Sequence, residues 1–197
     1  VSVGVVRAGW GWRVGWGVQA TEASAEGVGG KVAGRVRRLK AGNGVGAKDM
    51  GAVVTGQSRD RVAGYIAAGA EAGASLVIDG REGPFHGDPK GFFVGPTLFD
   101  HVSTDMSIYT DEIFGPVLAV VRVSGFEEGL GLINSNAYGN GSVIFTNDGG
   151  AARRFEVEVQ TGMVGINVPV PVPMAYYSFG GWKDSLFGDS HAHGTEG

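Results

Sequence analysis

The sequence predicts an α/β fold built on a parallel β-sheet, and three observations support this prediction. Hydrophobic residues make up 43% and charged residues 18% of the 197-residue chain, which allows a sizeable core and excludes a charged disordered tail. The stretch "VLAVVRV" (117–123) is a continuous, largely β-branched run, as in strands that are buried on both faces. From there to residue 167, strand and helix patterns alternate at the spacing of parallel βαβ units.

The elements before residue 117 follow from periodicity and capping signals. Apolar residues at helical spacing predict a helix within 31–42 that stops at a glycine. Ser58 is the predicted N-cap of a second helix over 59–74. A short strand is predicted at 75–79, and "FFVGPTLF" (92–99) is predicted to be extended.

The alternation after residue 117 gives five predicted elements. The strands are predicted from continuous β-branched runs, and the helices are predicted from apolar residues at amphipathic spacing. They are a strand at 117–123, a helix at 126–134, a strand at 142–146, a helix within 148–162 and a strand at 163–167.

The first 30 residues do not give a clear pattern. A Gly-Trp alternation over 7–19 is compatible with a strand and equally with out-of-frame sequence. Glycine is also abundant, with 37 residues, and several lie inside predicted helices, where each costs about 1 kcal/mol relative to alanine. We therefore divide the chain into a segment without a clear sequence pattern, 1–30, and a portion in which secondary-structure elements can be predicted, 31–197.

Composition excludes several kinds of function. The net charge is −4 and no basic cluster dominates, so nucleic acid is not expected as a partner. No apolar run approaches the roughly 18 residues of a membrane-spanning helix, so no membrane association is expected. The chain has no cysteine, which excludes disulfides, thiolate metal sites and a thiol nucleophile from its own residues.

Several common catalytic and binding motifs are absent from the sequence. Gly30-Lys31 is followed by Val32 instead of Ser or Thr, so no P-loop is present, and no clean Gly-x-Gly-x-x-Gly or Gly-x-Ser-x-Gly occurs. His191 and His193, with Asp189, offer too few ligands for zinc, so we interpret the histidines as solvated or packed in a loop and predict no metal site.

The stretch "TDEIFGPVLAVVRV" (110–123) places a carboxylate directly before an apolar strand. One interpretation is that Glu112 is a surface carboxylate at the start of the strand. The other is that a turn stiffened by Gly115 and Pro116 holds Glu112 and Phe114 at the carboxyl edge of a parallel sheet, where α/β folds bind ligands. A carboxylate suits ribose hydroxyls and an aromatic face suits a flat ring. Spacing alone leaves both interpretations open.

Four stretches have a recognisable sequence: "GFFVGPTLFDHV" (91–102), "DEIFGPVLAVVRV" (111–123), "YGNGSVIFTND" (138–148) and "GMVGIN" (162–167). The C-terminal part, 167–197, adds the runs Pro-Val-Pro-Met, Phe-Gly-Gly-Trp-Lys and His-Ala-His-Gly-Thr-Glu-Gly. The four stretches together resemble the aldehyde dehydrogenase superfamily, and the C-terminal runs are similar to its CoA-acylating methylmalonate-semialdehyde dehydrogenase branch. The resemblance extends over residues 31–197 and not over 1–30.

The resemblance implies a portion of the family's α/β catalytic domain, incomplete at both ends. It implies NAD-dependent oxidation of methylmalonate and malonate semialdehydes, from valine and pyrimidine breakdown, through a cysteine thioester whose acyl group passes to CoA. Glu112 would then bind the nicotinamide ribose and Phe114 would lie beside the nicotinamide ring. Asn167 and Phe179 would line the substrate tunnel, although ordinary packing is an equal alternative for Phe179.

Departures from the family pattern limit what this chain is expected to do. Because it contains no cysteine, we expect the nucleophile just before Val1, and the first Rossmann half and an oxyanion-binding asparagine further upstream. The strand used in subunit assembly is expected beyond the end. We therefore expect no catalytic residue here and no activity from the chain alone.

The resemblance leaves several points open. It implies a homo-oligomer for full-length members without extending this to the present chain, and a location in the bacterial cytoplasm or the mitochondrial matrix. An ordinary NAD(P)-dependent aldehyde dehydrogenase, in which water replaces CoA, is one alternative function. A non-catalytic remnant that acts as a binding or assembly module is another.

Overall fold

The structure is a computed structural model, and it falls into two compact units. Unit 1 comprises Val1–Ser24 and Val123–Gly197, and unit 2 comprises Ala25–Arg122. The structure describes residues 4–8, 16–46, 49–86, 88, 90–168 and 171–195.

Nine strands and five helices are found in the described ranges. The strands are β1 (Gly4–Ala8), β2 (Trp16–Thr21), β3 (Ser75–Ile78), β4 (Thr97–Asp100), β5 (Val117–Val123), β6 (Tyr138–Gly139), β7 (Gly141–Phe145), β8 (Met163–Ile166) and β9 (Trp182–Lys183). The helices are α1 (Glu22–Val36), α2 (Gly56–Glu71), α3 (Ser107–Thr110), α4 (Phe126–Ser135) and α5 (Gly149–Glu158), with a short 3₁₀ turn at Gly44–Gly46.

In unit 2, strand β4 joins an antiparallel neighbour, β3, to a parallel neighbour, β5. Helix α2 buries Val62 and Ile66 completely, and Phe99 of β4 is also fully buried. Gly69 of α2 lies so close to α3 that a Cβ there would be 2.8 Å from Ile108 Cδ1. This glycine therefore permits the two helices to approach and is not simply a weak point of α2.

One ion pair in unit 2 connects the two parallel strands. Arg122 of β5 donates to both carboxylate oxygens of Asp100 at the end of β4, at 3.2 and 2.9 Å, and the two side chains are only 19% and 18% exposed. Burial raises the pKa of Asp100, but hydrogen bonds from Arg122 and from the amide of His101 more than offset this, so its pKa lies below the usual value. The carboxylate therefore stays charged at neutral pH and ties β4 to β5.

In unit 1, the strands are ordered β2–β1–β7–β8. Strand β1 is antiparallel to both of its neighbours, whereas β7 and β8 are parallel and are connected by α5, which makes a βαβ unit. A separate two-stranded ribbon pairs β6 with β9. An apolar cluster joins α4, α5 and β7 through Leu130, Ile133, Ile144, Phe155 and Val159.

The predicted α/β class is confirmed, and most predicted elements are present. Strand β5 covers the predicted residues 117–123, and β3, α4, α5, β7 and β8 match their predictions closely. The sheets are mixed, because β1 and β3 pair only with antiparallel neighbours. None of the described helices has the length and apolar character needed to cross a membrane.

Two predictions of local structure were wrong, and a third was confirmed in part. Helix α1 begins at Glu22 and ends at Val36, earlier than the predicted 31–42, because glycines in its first half obscure the helical period. The N-cap of α2 is Thr55, whose hydroxyl accepts from the amide of Ser58 at 3.0 Å. Within 92–99, only residues from Thr97 onward form a strand.

Part of the Gly-Trp alternation, residues 9–15, lies outside the described residues. The segments on either side of it form β1 and β2.

Candidate functional site

The candidate cofactor residues lie in the short segment 111–116 between α3 and β5. The amide of Asp111 closes α3 by donating to the carbonyl of Ser107 at 3.0 Å. At the other end, the carbonyl of Pro116 accepts from the amide of Thr97 at 2.8 Å, where β4 and β5 begin side by side. Both ends of the segment are therefore fixed by backbone hydrogen bonds.

This location corrects one premise of the sequence interpretation. Glu112 and Phe114 precede β5, so they lie at the amino ends of the parallel strands β4 and β5 and not at the carboxyl edge. A residue that comes directly before a strand cannot lie at its carboxyl end. The general rule about ligands at carboxyl edges therefore does not support a site at Glu112, and local geometry has to be considered instead.

The side chains of the segment alternate between buried and accessible. Ile113 is buried, with 5% exposure, whereas Glu112 and Phe114 are half-buried. Phe114 has a φ of 54°, in the left-handed region that is costly for a residue with a Cβ. Ile113 thus anchors the segment in the core, and its two neighbours remain within reach of a ligand.

Helix α2 supports the segment from one side. Tyr65 donates its phenol hydrogen to Asp111 Oδ2 at 3.0 Å, and Arg61 Nη1 donates to the carbonyl of Glu112 at 3.2 Å. Burial and the hydrogen bond to Asp111 raise the pKa of Tyr65, so the phenol remains a donor at neutral pH. Gly115 packs directly on Val62, since a Cβ there would lie 2.5 Å from Val62 Cγ2.

Asn167 lies in unit 1, at the carboxyl ends of the parallel strands β7 and β8. Its Oδ1 accepts from the amide of Thr146 and its Nδ2 donates to the carbonyl of Thr146, both at 2.9 Å. Its φ of 57° is again left-handed. Two of the four described non-glycine residues with positive φ are therefore candidate site residues, Phe114 and Asn167. Asn167 connects the ends of two strands, and its role toward a substrate stays a prediction.

Phe179 is packed against the run His191–Gly194 in unit 1. Its ring is 9% exposed and stacks on the imidazole of His193, with ring centres 4.5 Å apart and planes 5° from parallel. His191 Nδ1 lies 3.3 Å from the hydroxyl of Ser178, and Gly194 donates to the carbonyl of Ala175 at 3.1 Å. Both histidines therefore pack against the loop before them, and the substrate role of Phe179 stays a prediction.

The candidate residues form two pairs, each described within its own unit. Glu112 and Phe114 belong to unit 2, and Asn167 and Phe179 belong to unit 1. Within the described ranges, no group of three or more His, Asp or Glu side chains could hold a metal ion.

The sequence analysis did not identify Arg61 and Tyr65, which contact the candidate segment. Their spacing of four residues indicates a shared helix face, but nothing in the sequence pairs that face with 111–115.

The sequence model of the aldehyde dehydrogenase family matches residues 20–197. The chain belongs to the aldehyde dehydrogenase family. This confirms the resemblance first drawn from the EIFGP stretch and its neighbours.

Curated relatives in the aldehyde dehydrogenase family narrow the similarity to one branch. A malonate-semialdehyde dehydrogenase from Pseudomonas aeruginosa is 54% identical over 168 residues, which cover 85% of this chain and 34% of that protein. Malonate-semialdehyde dehydrogenase 2 from Oceanobacillus iheyensis is 47% identical over 164 residues, which cover 83% of this chain and 34% of that protein. The chain thus spans about a third of the length of these relatives.

Solved aldehyde dehydrogenase structures agree with this placement. A methylmalonate-semialdehyde dehydrogenase from Oceanimonas doudoroffii superposes with a TM-score of 0.86 at 48% identity, covering 89% of this chain and 36% of that chain. A structure from Sinorhizobium meliloti 1021, assigned to the same enzyme and complexed with NAD, gives a TM-score of 0.85 at 48% identity, with the same coverage. The similarity to the methylmalonate-semialdehyde dehydrogenase branch is therefore confirmed in sequence and in structure.

Proposed function

We propose that this chain is a portion of an NAD-dependent, CoA-acylating methylmalonate- and malonate-semialdehyde dehydrogenase. The main support for the proposal is the geometry of segment 111–116. Its two ends are fixed, and Glu112 and Phe114 remain accessible on either side of the buried Ile113. Relatives named malonate-semialdehyde dehydrogenase and a neighbour complexed with NAD support the same proposal.

The residues of the segment suit NAD by their chemistry. The carboxylate of Glu112 can accept hydrogen bonds from both hydroxyls of the nicotinamide ribose, and such charge-assisted bonds are strong. Phe114 offers a flat apolar face to the nicotinamide ring. When bound, NAD accepts the hydride that leaves the aldehyde carbon. The contribution of this chain is to bind and orient the cofactor.

The chain does not supply the nucleophile of the proposed reaction. Thioester formation needs a thiolate, and none of the 197 residues is a cysteine. Since the chain spans about a third of its relatives' length, we assign the thiol to another part of the enzyme. On this proposal, the chain alone binds part of the cofactor and does not turn over. NADH formation from the purified chain with NAD, CoA and a semialdehyde would contradict it.

The substrate side of the proposal rests on unit 1. Asn167 lies at the carboxyl edge of a parallel strand pair, where α/β folds bind ligands, and Phe179 lies in the C-terminal loop that resembles the CoA-acylating branch. We propose that these residues line the path of a semialdehyde substrate. Full-length members would act as homo-oligomers.

A chimeric enzyme tests the proposed function. The 168 aligned residues of the chain would replace the matching stretch of the Pseudomonas aeruginosa relative. With malonate semialdehyde, NAD and CoA, the chimera should form NADH and one acyl-CoA per NADH. An acid product that forms without CoA would indicate an ordinary aldehyde dehydrogenase. A folded chimera that forms no NADH would favour a binding or assembly module.

A further inference from the structure

Helix α2 contacts the candidate cofactor segment through three residues on one side of the helix. Arg61 and Tyr65 are four residues apart, and Val62 and Tyr65 are three apart, the two spacings that bring side chains together on a helix surface. Arg61 binds the carbonyl of Glu112, Val62 packs on Gly115, and Tyr65 binds the carboxylate of the preceding residue, Asp111. The three contacts therefore bracket Glu112 on both sides.

The two polar contacts restrain the chain on either side of the Glu112 side chain. The bond from Tyr65 holds the side chain of Asp111, the residue before Glu112, and the bond from Arg61 holds the peptide plane that follows Glu112. The direction of a Cα–Cβ bond depends on its flanking peptide planes. Helix α2 therefore restrains the orientation of the Glu112 carboxylate, in addition to the rotamer of the side chain itself.

The two supporting side chains also contact each other. The Arg61 guanidinium carbon lies 6.0 Å from the centre of the Tyr65 ring, at the outer limit of a cation–π contact. The guanidinium and the ring therefore lie side by side on the helix face from which Arg61 reaches the Glu112 carbonyl. Loss of either side chain should therefore loosen the same point of the segment.

We propose that Arg61 and Tyr65 are positioning residues, which hold Glu112 in the orientation that receives the ribose of a dinucleotide cofactor. This inference rests on the proposed function, because it assigns a purpose to α2 only if Glu112 binds that ribose. It adds two residues to the cofactor site that do not touch the cofactor themselves.

Backbone dynamics test the proposal in the chain as it exists. Tyr65→Phe removes only the phenol hydroxyl, and Arg61→Met removes the guanidinium while keeping an unbranched side chain. We expect the NMR order parameters of the amides of residues 112–115 to fall from about 0.85, typical of rigid backbone, toward about 0.6 in both variants. Amides within α2 should not change. Arg59→Met is the matched control, because Arg59 lies on the same helix and pairs with Asp60.

Cofactor affinity separates positioning from simple structural support. In the chimeric enzyme, Tyr65→Phe should weaken NAD binding about fivefold, the effect of losing one ordinary hydrogen bond. In a Glu112→Gln background, the same substitution should have no further effect, because it acts through Glu112. Equal weakening in both backgrounds would overturn the proposal, as would unchanged order parameters in both single variants.

The two hypotheses can fail separately. If the chimeric enzyme without further substitutions does not bind NAD, the proposed function fails, and the order parameters still decide whether α2 holds Glu112. If NAD binds and Glu112→Gln weakens it while Arg61→Met and Tyr65→Phe do not, the proposed function stands and the positioning role is overturned.

Discussion

Replacing Gly115 with alanine should destabilise unit 2 through one identifiable collision. The added Cβ would lie 2.5 Å from Val62 Cγ2 and 2.9 Å from Cγ1, and Val62 is fully buried. Carbon atoms pack best at about 3.5–4.0 Å. Either helix α2 or the segment 111–116 must therefore move by about 1 Å. Overpacking of this kind costs about 1–3 kcal/mol. The cost is steric, because the φ of Gly115 is outside the left-handed region.

A double-mutant cycle isolates that collision. Val62→Ala alone removes two buried methyl groups and should cost about 1–3 kcal/mol. In the double variant, the new Cβ occupies part of the vacated space, so the combined cost should be smaller than the sum by about 1 kcal/mol or more. Gly64→Ala is the matched control, since a Cβ there meets nothing within 4 Å, and it should stabilise α2 by about 0.5–1 kcal/mol.

The measurement is the unfolding free energy of α2, from native-state hydrogen exchange of its amides, together with urea denaturation followed by circular dichroism. The reasoning is refuted if Gly115→Ala is neutral, or if the two costs add within about 0.3 kcal/mol. Either result would mean that the segment does not pack tightly on α2.

The remaining predictions concern contacts that hold other elements. Arg122→Met should cost about 1–3 kcal/mol in urea denaturation, because it leaves the Asp100 carboxylate, 18% exposed, without that partner. The folded pKa of Asp100 is lowered, so the pair stabilises the fold above the ordinary carboxyl pKa, and this stabilisation is lost as the pH falls through the folded pKa. The variant should therefore lose less stability on acidification than the unsubstituted chain. Lys183→Met should lower the unfolding free energy by about 1–2 kcal/mol, because the Lys183 ammonium donates to two carbonyls at the end of α4, at 2.8 and 3.1 Å. Lys183→Arg keeps the positive charge and should lower the unfolding free energy by less. His193→Ala should cost about 0.5–1.5 kcal/mol through the lost stack on Phe179, and a neutral result by thermal unfolding would contradict that contact.

The sequence was sufficient for elements whose own residues carry a period. Strand β5 is apolar at six of its seven positions and was predicted to the residue. Helix α5 has both an amphipathic face and an N-cap, Asp148, whose side chain accepts from the amide of Ala151. Helix α1 was displaced because its glycines carry no hydrophobic signal, although the helix forms. Local periodicity is therefore informative only where side chains supply it.

The candidate site needed contacts that no local pattern contains. The EIFGP stretch made Glu112 and Phe114 candidates, a prediction that stays open, but the sequence placed them at the wrong edge of the sheet. The roles of Arg61 and Tyr65 depend on pairs separated by 51 and 46 residues in the chain. Contacts over such distances follow from the tertiary fold and cannot be read from spacing along one segment.

The most direct test of the cofactor site is the dissociation constant of NAD for the chimeric enzyme, measured by calorimetry with Glu112 and with Glu112→Gln. Loss of a charge-assisted hydrogen bond of about 1.5–3 kcal/mol should weaken NAD binding by about 10- to 100-fold. Arg59→Met should leave the constant unchanged. Equal NAD affinity in the Glu112 and Glu112→Gln enzymes, both folded, would contradict the assignment of segment 111–116 as part of the cofactor site.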